Sequence, residues 1–147
     1  MRGEDIFYLL TTEPRMRHIF AGVFSRDRLP RQCPNVRPIL FVVNTDRARG
    51  PGEHWVCIYL NPSGVGEYFD SYGFPPYHRE IKTFLRKNSR RYVYNNVVLQ
   101  EPFSQTCGYY CVYYAKKKSR GYSLRQILSH FRTLRPFFND QYVINRA

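Results

Sequence analysis

Cysteine is too sparse in this sequence to form a disulfide framework. The 147 residues contain four cysteines, namely Cys33, Cys57, Cys107 and Cys111. Small secreted domains that depend on disulfides carry a much higher density of cysteine. The sequence also opens without a signal-peptide pattern. We therefore expect free thiols in a reducing compartment.

Long apolar runs, repeats and low-complexity linkers are missing as well. No stretch approaches the roughly 20 apolar residues of a membrane span. Hydrophobic residues make up 43% of the chain and aromatic residues 17%, which argues against disorder. The sequence predicts one globular domain over residues 1–147, without a membrane partner and as a monomer.

Acidic residues are few. The chain has 11 Asp and Glu against 23 Lys and Arg, which gives a net charge of +12. This excess favours a polyanionic partner, with DNA as the first candidate, although a solvated basic surface would explain it too. The candidate DNA-binding residues are Arg86, Lys87, Arg90, Arg91, Lys116, Lys117 and Lys118.

Apolar periodicity and turn residues predict an α+β fold. Strands are predicted over residues 36–44, 53–60, 66–71 and 92–100, with an extended or turn segment over 18–24. Helices are predicted over residues 4–12, from Pro75-Pro76, from Cys107, from a capping box at Ser123 to about residue 133, and from an N-cap at Asn139. The sheet would be small, mixed or antiparallel, and packed on the central helix that begins at Cys107.

The Cys107 helix and the hairpin of residues 53–71 together offer the parts of a sulfur nucleophile. A cysteine at a helix N-terminus is favoured as the thiolate. His54 begins one hairpin strand and Asp70 ends the other, so the hairpin brings them side by side. This predicts Cys107 as nucleophile, His54 as base and Asp70 as the group that orients the imidazole.

An oxyanion formed at Cys107 needs hydrogen-bond donors. The backbone N–H of Cys107 is one candidate, and the side-chain amide of Gln100 is the other. Gly108 leaves room for a substrate backbone to approach the helix start.

Two less specific interpretations apply to the same residues. His54, Cys57, Cys107 and Cys111 could supply four zinc ligands, but His54 and Cys57 would point to opposite faces of a strand, so we expect no metal. A cysteine is also commonly a small buried hydrophobe, which is how we interpret Cys57 and Cys111. From the residues alone, a basic nucleic-acid-binding module with structural cysteines stays open.

Several motifs resemble the adenovirus endoprotease (adenain) family of cysteine proteases. Its clan includes SUMO-deconjugating (Ulp-like) proteases and the proteases of adenovirus-related DNA viruses and Maverick-type transposons. The resemblance spans about residues 18–115 and rests on the segments Ile19 to Val23, Phe41 to Thr45, Gly52 to Trp55, Tyr68 to Phe74, and Gln100 with Cys107-Gly108 and Cys111.

The resemblance implies a papain-like active centre with His54, Asp70, Gln100 and Cys107 as its catalytic residues. It also implies an endopeptidase that processes viral precursor proteins during virion maturation, in the virion and host nucleus. Such enzymes need no cofactor for the chemistry, but viral DNA and a short viral peptide can activate them.

The chain departs from the adenovirus enzymes in two ways. The adenovirus enzymes usually have Glu where this chain has Asp70. An Asp at this position is typical of deconjugating enzymes. The predicted strand before Gln100 has no cysteine to tether an activating peptide. A ubiquitin- or SUMO-like deconjugating protease is therefore the first alternative function, and a non-catalytic basic nucleic-acid-binding capsid module is the second.

Overall fold

The computed structural model describes all residues, 1–147. Its five strands are β1 (Phe20–Ser25), β2 (Ile39–Asn44), β3 (Trp55–Leu60), β4 (Val65–Phe69) and β5 (Arg91–Tyr94). Its five α-helices are α1 (Gly3–Thr11), α2 (Arg79–Asn88), α3 (Cys107–Ser119), α4 (Leu124–Leu128) and α5 (Pro136–Arg146). Short 3-10 turns precede and follow β1. No helix has both the length and the apolar character needed to span a membrane.

The strands form one mixed sheet in the order β1-β2-β3-β4-β5. The central strands β2, β3 and β4 pair antiparallel, while each edge strand is parallel to its neighbour. The sheet confirms the predicted α+β class, with a hairpin formed by β3 and β4. Central strands are apolar on both faces, which is typical of a sheet covered on both sides.

Helices cover both faces of the sheet and divide the core into two clusters. On one face, α2 packs Ile81, Phe84 and Leu85 against the strands. On the other face, α3 packs against β3 and is itself covered by α1 and α5. The predicted central helix is therefore confirmed, and it is buried on almost every side.

The strand predicted over residues 92–100 is shorter than expected and ends at Tyr94. The Asn95 side chain is turned inward, where it bonds the backbone N–H and carbonyl of Asp70 at 2.9 and 2.7 Å. Asn96 has a positive φ of 38°, a conformation that interrupts an extended strand. The chain therefore leaves the sheet before it reaches Gln100.

Three helix boundaries also differ from the sequence prediction. The helix expected from Pro75-Pro76 begins only at Arg79, and the one capped at Ser123 ends at Leu128. Asn139 is not an N-cap, because it lies inside α5 and its side chain bonds the backbone of Arg132 and Leu99. The capping box at Ser123 is confirmed.

Candidate active site

A cleft of about 790 Å³ opens where the β3–β4 hairpin meets the start of α3. His54 immediately precedes β3, Asp70 immediately follows β4, and Cys107 is the first residue of α3. All three side chains line the cleft. The structure thus brings together the three residues that the sequence predicts to act as nucleophile, base and acid.

His54 and Asp70 form a short hydrogen bond. His54 Nε2 lies 2.7 Å from Asp70 Oδ1, and the two side chains are 15% and 4% exposed. The same carboxylate oxygen accepts a second hydrogen bond from the backbone N–H of Tyr72, at 2.8 Å. Because Nε2 is occupied by Asp70, the other ring nitrogen, Nδ1, is the one left for Cys107.

Tyr72 and Asn95 support this pair, and the sequence interpretation did not identify either of them. The Tyr72 ring stacks on the His54 imidazole, with centroids 4.9 Å apart. Its hydroxyl bonds the Pro102 carbonyl at 3.1 Å, in the loop before the nucleophile. Asn95 fixes the backbone of Asp70 from the other side. Their only sequence signal is a polar or aromatic residue at a strand end.

The surroundings of Cys107 favour its thiolate. Burial alone would raise the pKa of the Cys107 thiol, but hydrogen bonding and the charge of His54 outweigh it. The nearby backbone N–H groups of Trp55 and Gly108 act in the same direction, and the pKa of Cys107 falls below its ordinary value. A lowered pKa favours the thiolate, which is the nucleophilic form of a cysteine.

The pKa of the His54 imidazole shifts in the opposite direction. Burial opposes the charged ring of His54, but its hydrogen bonds to Asp70 and Cys107 prevail and raise its pKa to about 9. A thiolate and an imidazolium therefore face each other over the pH range between the two pKa values. This ion pair is the activated state of a cysteine nucleophile with its general acid in place.

Gln100 is buried next to the site but does not line the cleft. Its Oε1 accepts a hydrogen bond from Ser71 Oγ at 2.5 Å. Its Nε2 donates to the Ser104 carbonyl at 2.9 Å and lies 3.2 Å from the Ser104 hydroxyl. The amide is thus turned toward the loop before Cys107, and its role in an oxyanion hole stays a prediction.

The other cysteines near α3 have structural positions. Cys57 and Cys111 are both fully buried, and the Cys57 thiol lies 3.7 Å from the Cys111 carbonyl oxygen. Burial, together with the nearby Cys57, raises the pKa of Cys111. Both residues are core hydrophobes, as the sequence predicts. No cluster of His, Cys, Asp or Glu is arranged to hold a metal ion.

The prediction that Lys118 lies on a DNA-binding surface is wrong. Lys118 is only 7% exposed. Its Nζ lies 3.2 Å from Glu67 Oε2 and 4.2 Å from the centre of the Tyr59 ring, so it neutralises a buried carboxylate. The other candidates are exposed or half-buried and stay predictions: Arg86, Lys87, Arg90, Arg91, Lys116 and Lys117.

Comparisons by sequence find no relative. No protein-family model matches the chain, and no curated protein matches it. Solved structures do match its fold. Two crystal structures of the ASFV pS273R protease align with it, at TM-scores of 0.52 and 0.56. The first is 26% identical over 70% of this chain and 43% of the protease, and the second is 17% identical over 90% and 64%.

Two further solved structures match almost the whole chain. The SUMO protease Ulp1, with its catalytic cysteine oxidised to a sulfinic acid, aligns at a TM-score of 0.52 and 11% identity, over 99% of this chain and 78% of Ulp1. The central domain of the uncharacterised Lpg1148 protein from Legionella pneumophila aligns at 0.54 and 18% identity, over 99% and 95%.

The chain therefore shares the fold of the pS273R and SUMO proteases, which confirms the expected clan at the level of fold. It spans 43% and 64% of the two pS273R chains that it matches.

Proposed function

We propose that this chain is a cysteine endopeptidase that processes precursor proteins of a DNA virus or virus-like element during virion maturation. The observation that carries the proposal is the placement of Cys107, His54 and Asp70 in one cleft, with a lowered pKa for the thiol and a raised pKa for the imidazole. The likeness to the pS273R protease supports a viral setting.

The first half-reaction forms a thioester. The Cys107 thiolate attacks the carbonyl carbon of the scissile peptide bond, and the negative charge moves to the carbonyl oxygen. The tetrahedral intermediate collapses when the C–N bond breaks and His54 gives its proton to the departing amine. Asp70 bonds Nε2 of the imidazole, which leaves Nδ1 for the sulfur and the amine.

The second half-reaction releases the acid product. His54 is now neutral and takes a proton from a water molecule, which attacks the thioester carbon. Breaking of the C–S bond restores the thiolate, and the proton on His54 restores the ion pair. The proton that leaves with the amine is thus replaced by one from water, and the proposed chemistry uses no metal or cofactor.

The negative carbonyl oxygen would be stabilised by N–H donors at the start of α3. The backbone N–H of Cys107 and the Nε2 of Gln100 are our candidates. Gln100 must then exchange its bond to the Ser104 carbonyl for one to the substrate, which a shift of the 101–106 loop would allow.

The partners and location follow from the proposed reaction class. The substrates would be viral precursor proteins, and the enzyme would act in the virion and host nucleus. The net charge of +12 supports activation by viral DNA, with Arg86, Arg90 and Arg91 among the exposed contacts. A short viral peptide is a second proposed activator, bound without a disulfide.

A peptide-library cleavage assay tests this function. The chain is incubated with an extended-peptide library, with and without duplex DNA, and the products are sequenced by mass spectrometry. We expect cleavage at a defined motif, enhanced by DNA at low salt and lost in Cys107→Ala. Cys33→Ala is the matched control, because Cys33 lies outside the cleft. Equal cleavage by Cys107→Ala would contradict the proposal.

A deconjugating protease for a ubiquitin- or SUMO-like modifier is the second candidate. Two observations favour it, namely the aspartate at position 70 and the fold shared with the SUMO protease Ulp1. Vinyl sulfone derivatives of ubiquitin and SUMO would then label Cys107. The endopeptidase proposal predicts no adduct with either modifier but cleavage of the peptide library. The non-catalytic capsid module predicts neither adduct nor cleavage.

A further inference from the structure

The first three residues of the chain form part of the wall of the active-site cleft. Met1, Arg2 and Gly3, which we call the N-terminal segment, line the cleft together with Trp55 and Cys107. The Trp55 indole N–H donates a hydrogen bond to the Met1 carbonyl at 3.1 Å. An indole N–H in a protease cleft is a donor that an extended substrate backbone could use, and here the chain itself occupies it.

The Met1 side chain covers the residue that follows the nucleophile. A Cβ atom added to Gly108 would lie 3.0 Å from Met1 Cβ and 3.1 Å from Met1 Sδ. Met1 is therefore in van der Waals contact with Gly108, at the start of α3. From the sequence, we expect a substrate backbone to approach Cys107 through the room at Gly108, and along that path substrate and Met1 would exclude each other.

The segment is anchored where it joins α1. The Arg2 backbone N–H bonds the Asp5 carboxylate at 2.8 Å, which fixes the turn into α1. The Arg2 and Glu4 side chains are 82% and 78% exposed, and their ion pair lies in solvent. The only polar contact of Met1 with the cleft wall is the Trp55 bond. Arg2 and Gly3 stay in place as the N-cap and the first residue of α1, so the segment can open only at Met1. The Arg2 carbonyl accepts hydrogen bonds from the N–H groups of Asp5 and Ile6 at 3.1 and 3.2 Å.

We propose that the N-terminal segment, through Met1, is a built-in competitor that narrows the substrate-binding cleft and regulates access to Cys107. This regulation rests on the proposed protease function, because the competitor is displaced by a peptide substrate. The apparent affinity for substrate is lowered by the fraction of molecules in which the segment is docked. Removing its contacts raises that affinity and leaves the chemical step unchanged.

The test compares the wild type with Met1→Gly, expressed behind a removable tag so that residue 1 can be varied. The first readout needs no substrate, because it measures the rate at which Cys107 reacts with a bulky aryl maleimide and with the small reagent iodoacetamide. We expect Met1→Gly to raise the maleimide rate about three- to tenfold and the iodoacetamide rate much less. The second readout is peptide cleavage, in which KM falls by a similar factor and kcat does not change.

Two further variants control the interpretation. Tyr8→Ala changes an exposed residue of α1 outside the cleft and should match the wild type in both readouts. Trp55→Phe removes the donor to Met1 and should also raise the maleimide rate, which guards against an effect peculiar to position 1.

The outcomes separate this inference from the proposed function. A maleimide rate in Met1→Gly that is unchanged or slower overturns the inference, because Met1 would then be a neutral or supporting wall. Faster labelling without any peptide cleavage supports the competitor and overturns the protease function. Cleavage by the wild type, with no change in KM or labelling in Met1→Gly, supports the protease function and overturns the competitor.

Discussion

Cys107 and Cys111 are both cysteines, one helical turn apart in α3. Their surroundings nevertheless shift the pKa values of the two thiols in opposite directions. Cys107 lies at the first position of α3 beside His54, and its pKa is lowered. Cys111 lies beneath it in the core, and burial raises its pKa. The difference comes from an imidazole and free backbone N–H groups at one position and their absence at the other.

The comparison shows that burial alone does not activate a thiol. Burial is the largest influence on both cysteines, and it opposes the charged form in each. Only Cys107 has donors that compensate for it. The β3–β4 hairpin supplies those donors, because it places His54 and the backbone N–H of Trp55 next to the helix start.

The largest expected effect is the loss of activity in Cys107→Ala. We expect peptide cleavage to fall at least about a thousandfold, because the covalent intermediate cannot form. The measurement is kcat/KM on the peptide selected from the library. Circular dichroism would confirm that the variant is folded. Retained cleavage in a folded Cys107→Ala protein would mean that the two cysteines do not differ as described.

Asp70→Asn should reduce the difference between Cys107 and Cys111, because it destabilises the charged form of the His54 ring. We expect kcat/KM to fall about a hundredfold, since an amide neither orients nor charges the ring as the carboxylate does. Asp70 helps to raise the pKa of His54 to about 9, so its removal lowers that pKa. The alkaline limb of the pH–rate profile should therefore move to lower pH. An unmoved limb would assign that limb to another group.

Gln100→Ala tests whether the amide serves the oxyanion or only the 101–106 loop. If Nε2 turns to the substrate, kcat falls about a hundredfold while KM stays nearly constant. If the amide stays on Ser104, the main effect is a lower stability to urea. Ser71→Ala is the matched control, because it removes the partner of Gln100 Oε1 but keeps the amide.

Cys111→Ala should give the smallest change in activity, within about twofold of the wild type. It removes a buried sulfur from the core and should cost about 1–2 kcal/mol of unfolding free energy. Urea denaturation measures this cost. A large loss of activity at unchanged stability would show that Cys111 takes part in the chemistry.

Local sequence patterns were sufficient to predict most of what positions the site. Alternating apolar residues and the turn Asn61-Pro62-Ser63-Gly64 predict the hairpin, and apolar spacing after Cys107 predicts α3. His54 and Asp70 both lie just outside their strands, so strict alternation of faces does not apply to them. This is how His54 reaches α3 although β3 residues of the same parity, such as Val56, face α2.

The errors come from contacts between residues far apart in the chain. Asn95 bonds Asp70 and ends β5 early, which the apolar run of residues 97–99 gave no reason to expect. Lys118 belongs to a run of three lysines that reads as a solvated helix end. Because α3 is enclosed by the sheet and other helices, even its last turn has a buried side, where Glu67 pairs with this lysine.

The most direct test of the central claim is the pH dependence of alkylation by iodoacetamide, with the modified cysteine identified by mass spectrometry. We expect Cys107 to react faster than an ordinary thiol at pH 7, with an inflection below the ordinary thiol value of 9.0 that moves upward in His54→Gln. Cys111 should stay unmodified until the protein unfolds. If Cys107 instead titrates near 9.0 and His54→Gln leaves it unchanged, the ion pair does not exist.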